Sequence, residues 1–146
     1  MRSLPSRANL LLAAAALTAA GAVSQARATE RVHVTGELVD TWCSVSGIMY
    51  GYGTAHHQCA VWCAVGGIPV SIKAPDGTFY MVLRLDGDTN SVANPRLVNI
   101  QTHDVTVDGD LYRRDGVNYL LVDQVASDGG IVNLTHAEYG IVPFGE

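Results

Sequence analysis

The sequence predicts a small, mainly β domain of about five strands closing into a barrel, with one short helix inserted after the first strand. Three observations predict it. Segments rich in β-branched and aromatic residues recur with period-two alternation, separated by turn dipeptides. Glycines stand inside two of those segments, at Gly36 and Gly109, where a barrel must bend its strands. Only one stretch, near residue 60, carries the start and stop signals of a helix of several turns. A β-sandwich is the alternative arrangement of the same strands.

The first strand is RVHVTGELVD, residues 31–40, with Val32 and Val34 on one face and Arg31, His33 and Thr35 on the other. The glycine-rich stretch GIMYGYGT, residues 47–54, follows and breaks regular structure. Thr54 is a suitable cap for a helix of about three turns through Val65, stopped by Gly66-Gly67 with Pro69 just beyond. Residues 68–74 and 78–85 flank a Pro75-Asp76-Gly77 turn and read as a hairpin. Residues 86–96 are loop chemistry with room for one helical turn. Two further strands fill 103–126 around Asp115-Gly116, and a short edge strand is expected at Ile131–Leu134. The spacing is compatible with an oligonucleotide/oligosaccharide-binding (OB) type of barrel.

The N-terminus reads as an export signal. Arg2 and Arg7 precede the apolar run LLLAAAALTAA, and Ala26-Arg27-Ala28 offers a small-x-small cleavage pattern. The expected division is residues 1–28 as signal peptide and 29–146 as one domain, delivered to the bacterial periplasm or secreted. The apolar run is shorter than the roughly 20 residues that span a bilayer. The whole chain carries a net charge of −5. Without Arg2, Arg7 and Arg27, six basic residues face fourteen acidic ones, a net of −8. Such a domain is a poor partner for nucleic acid or an anionic membrane.

All three cysteines, Cys43, Cys59 and Cys63, fall in one segment with His56, His57 and Met49. At about 100° per residue, His56, Cys59 and Cys63 lie within about 60° of one another on a helix. The preceding loop can bring Cys43 over as a fourth group. Three thiolates and an imidazole form a tetrahedral set for zinc, and thiolates also suit copper(I). The expected ligands are therefore Cys43, His56, Cys59 and Cys63, with Met49 or His57 auxiliary and Asp40 orienting a ligand. Copper is slightly preferred, because the donors are soft and Met49 could add a thioether.

Two other readings compete. In an oxidising compartment Cys43 is the natural disulfide partner of Cys59 or Cys63, which would make the domain a braced module binding a partner protein or small ligand. Thiol–disulfide chemistry, with Cys59 or Cys63 attacking and Cys43 resolving, needs a lowered thiol pKa. No phosphate loop, dinucleotide fingerprint or nucleophile elbow is present, so the chain reads as a binding protein more than an enzyme. Trp42 and Trp62 are expected in the core, and His33 in solvent.

The run D-x-x-C, a glycine-rich loop, H-x-x-C-A-x-x-C-x-x-G-x-P-V and a D-G-x-x-Y hairpin resembles a group of small exported bacterial proteins of OB-like type. The matching residues are Asp40, Cys43, His56, Cys59, Ala60, Cys63, Gly66, Pro69, Val70, Asp76, Gly77 and Tyr80, with Ile68 at a variable place. The resemblance covers roughly residues 34–83. That group has no established activity, so the resemblance implies a fold and a site position.

Overall fold

A computed structural model describes residues 29–48, 51–86 and 94–135. The expected signal peptide and Met49 lie outside these residues. In chain order the elements are β1 (Glu30–Asp40), α1 (Thr41–Ser46), α2 (Gly53–Val65), β2 (Val70–Lys73), β3 (Phe79–Leu85), α3 (Pro95–Asn99), β4 (Asp104–Arg114) and β5 (Val117–Asp128). The strands close into a barrel in the order β1-β2-β3-β5-β4. Neighbours are antiparallel except β3 and β5, which run parallel. This is a small five-stranded β-barrel of OB-like type. No described helix is long and apolar enough to cross a membrane.

Strand β1 serves both sides of the closure. Its first part pairs with β4 and its last four residues pair with β2, with Glu37 in both registers. Gly36 stands next to that changeover and packs directly under the carbonyl of Lys73. Gly109 stands under the carbonyl of Leu121, where the β4–β5 register shifts. Inside the barrel Val34, Leu38, Ile72, Val82, Val105, Val107, Leu120 and Val122 form one buried cluster. In β1 and β4 these are the inward members of an alternating strand, so the period-two pattern becomes a core directly, whereas β2 is buried at 70, 71 and 72 alike.

At the end of β1 the alternation stops: Leu38, Val39 and Asp40 are all buried. Helix α2 causes this by covering the outer face with His56, Ala60 and Ala64, which recur every four residues. Two alanines on that stripe let the helix lie close to the strand. The helix starts two residues earlier than the Thr54 cap implies, and its flanking residue Tyr52 makes no side-chain cap.

Residues 131–134, expected as an edge strand, form no strand. They run instead past the start of α2, where Thr54 N donates to Asn133 O and Ala55 N to Thr135 Oγ1. A backbone carbonyl and a hydroxyl from the tail thus take over the capping task, which removes these residues from sheet pairing. Gly53 permits the approach, because a side chain there would collide with Asn133. Thr135→Ala should lower stability by about 1 kcal/mol, the usual worth of a capping side chain, read as a lower denaturant midpoint at unchanged slope.

Candidate metal centre

The short helix α1 builds one wall of the site. Its N-cap is Asp40, whose Oδ1 accepts from Trp42 N at 2.8 Å and Cys43 N at 3.3 Å. Gly47, in the left-handed conformation, ends the helix by donating to Cys43 O. These two devices compensate for a six-residue segment of modest helix propensity, and they point Cys43 inward. The opposite wall is α2, where Cys59 and Cys63 are one turn apart with sulfurs 4.0 Å from each other.

One ligand atom from each of Asp40, Cys43, Cys59 and Cys63 lies within 4.8 Å of the others. In a tetrahedral site with metal–sulfur bonds of about 2.3 Å, adjacent sulfurs stand roughly 3.8 Å apart. The observed 4.0 Å between Cys59 and Cys63 is close to that spacing. The cluster is the size of one ion. All three cysteines are free, so the disulfide of the alternative reading, Cys43 with Cys59 or Cys63, is not formed.

His56 is not among these four. It is fully buried on the barrel side of the cluster, with Nε2 3.6 Å from Asp40 Oδ2. Asp40 Oδ2 and both His56 ring nitrogens have no hydrogen-bond partner. Three orphan polar atoms in one buried spot are expensive, since such groups are nearly always satisfied. Each described lysine and arginine is engaged elsewhere: Arg31 and Arg84 with Asp123, Arg96 with Asp86, Arg113 with Glu30, Arg114 with Asp115, and Lys73 with Tyr52. The cluster gathers three sulfurs and a carboxylate, and no lysine or arginine among the described residues is on it.

The electrostatics follow from that composition. Burial and then the Asp40 carboxylate push the Cys43 thiol up to about 12. The same two causes, in the same order, push Cys63 up. For Asp40, burial acts upward, but the thiols of Cys63 and Cys43 and the two backbone N–H groups outweigh it and hold the carboxyl below its usual range. The thiols act through their proximity, since neither reaches hydrogen-bond geometry on Oδ2. Without a cation the arrangement is an ionised Asp40 facing the neutral thiols of Cys43 and Cys63. A cation that binds must displace thiol protons, so its affinity rises with pH.

The other expected residues are placed as follows. His57 turns away, its Nδ1 3.0 Å from Gln101 O and 2.9 Å from Thr102 Oγ1, tying α2 to the α3–β4 turn. His33 is exposed beside Asp108, as its alternation implies, and His103 pairs with Asp128. Trp42 and Trp62, expected in the core, are 61 % and 68 % exposed, because they occupy the outer faces of α1 and α2. Asp40 is the member of the four that sequence reasoning assigned only a supporting role. The signal for it was D-x-x-C itself: a capping aspartate and the third residue of its helix share the first turn.

No family model, curated protein or solved structure matches this chain.

Proposed function

We propose that this chain is an exported, periplasmic or secreted, binding protein that holds one metal ion through Cys43, Cys59, Cys63 and Asp40. The observation that carries it is the convergence of three sulfurs and a carboxylate oxygen within 4.8 Å. In this reading His56, a ligand by sequence, stands behind Asp40 and orients it. Zinc fits the set better than copper(I), because a carboxylate suits zinc and adds little to a thiolate-bound soft ion. Copper(I) on the three sulfurs alone is the other occupant.

The test is intact-mass spectrometry of protein recovered from the exported fraction, native and denatured, with thiol alkylation. A metal-sized excess lost on denaturation, with three alkylatable cysteines, is expected. A mass two hydrogens light, with no metal and one alkylatable cysteine, sinks the proposal in favour of a disulfide-braced module. Asp40→Asn and Asp40→Ala separate the metals. Both should weaken zinc at least as much as loss of an orienting partner, about 10–100-fold, and leave copper(I) almost unchanged. Only Asp40→Ala also loses the α1 cap, at about 1 kcal/mol.

A further inference from the structure

On the outer side of α1, away from the cysteines, the structure has a cavity of about 690 Å³. Trp42 and Val45 of α1 form one wall, and Phe79 and Met81 of β3 the other. At its edge Thr41 Oγ1 and Ser71 Oγ are hydrogen-bonded at 2.7 Å, and the β4–β5 turn at Gly116 closes one end. Among the described residues no charged side chain lines it.

We infer that this cavity is a binding site for a neutral aromatic small molecule. Its volume lies in the range of about 300–1,000 Å³ typical of small-ligand sites, whereas partner proteins are met by flatter surfaces. The uncharged lining gives an ionic ligand nothing to offset its desolvation. An indole, a phenyl ring and a thioether around one space suit an aromatic ring, which can stack, meet an edge or contact sulfur. The hydroxyls of Thr41 and Ser71 supply the few polar positions that such sites use for orientation. With the cavity open, Trp42 and Val45 are 61 % and 66 % exposed, apolar surface that a ligand would cover. The site uses none of the four clustered donors, so it stands apart from the metal proposal.

The test uses the neutral fluorophore N-phenyl-1-naphthylamine, titrated into the mature chain both stripped of metal and loaded with zinc. Saturable binding of one probe per chain to the stripped protein is expected, with energy transfer from Trp42 preserved in a Trp62→Phe variant. Val45→Glu should weaken it more than about tenfold, because it places a charge on the apolar wall. Val65→Glu, on the exposed face of α2, should bind as the unaltered chain does, and circular dichroism checks that both variants fold. Absence of saturable binding, or Val45→Glu binding unchanged, overturns the inference. So does binding that vanishes when the chain dimerises in sizing experiments, which would make a second copy the occupant. Failure of the metal proposal would appear separately, as a zinc-free protein that still binds the probe.

Discussion

The Cys43→Ser, Cys63→Ser double variant should lose zinc and copper retention altogether. Two of three thiolates go, one from each wall, so the remaining Cys59 and Asp40 cannot close a tetrahedral set. Structural zinc sites are worth about 10–16 kcal/mol of apparent binding energy, and most of that resides in the deprotonated ligands. The fold should survive, because the barrel core is built from aliphatic residues of the strands. Competition with a chromophoric chelator gives the affinity, and far-ultraviolet circular dichroism gives the fold. A variant that binds both metals as well as the unaltered chain ends the metal reading. His56→Gln is the graded companion. It leaves all four clustered donors in place and should weaken zinc by about 10–100-fold through loss of the group behind Asp40.

The largest effect on stability should come from Gly109→Ala and Gly36→Ala. At each position an added Cβ would overlap a neighbouring strand's carbonyl oxygen, that of Leu121 or Lys73. Backbone cannot swing aside as a flexible side chain can, so the barrel must open locally. A cost above about 3 kcal/mol is expected, toward the severe end for single substitutions. That corresponds to roughly 10 °C or more in melting temperature for a domain of this size. Gly77→Ala separates this steric cost from a conformational one. Gly77 has φ +86° with nothing near its absent Cβ, so only the left-handed penalty of about 1–2 kcal/mol applies. Urea denaturation of the three variants should rank them in that order, and equal losses would refute the close-approach argument.

The longer strands were legible because they carry core residues on alternate positions and end at a recognisable turn. Val105, Val107 and Leu111 sit two or four residues apart, and Asp115-Gly116 marks the reversal. Helix α2 was legible from its alanine–cysteine stripe and from Gly66-Gly67. Helix α1 was not. Thr41 and Val45 are β-branched, and the segment holds together through its end devices at Asp40 and Gly47. Asp40 shows the deeper limit. In sequence it ends a strand and orients a ligand at most, and only the packing of α2 against β1 reveals that one of its carboxylate oxygens lies within 4.8 Å of three sulfurs. The exposure of Trp62 follows from a distinction that hydrophobicity obscures: the helical wheel puts it about 160° from Ala64, on the far side of α2.

Helix α2 has one more property that matters before the protein is finished. Besides Glu37, the groups that cap its first turn come from Asn133 and Thr135, the latter 80 positions beyond the Ala55 amide it accepts from. A chain made from its N-terminus at about 5–20 residues per second completes both thiols of α2 several seconds before those groups exist. During that interval the first turn has Glu37, whose Oε1 accepts from Gly53 N, as its one acceptor from outside the helix already made. The tail therefore completes the capping of α2, and Cys59 and Cys63 sit on a fully capped helix only once Thr135 has been made.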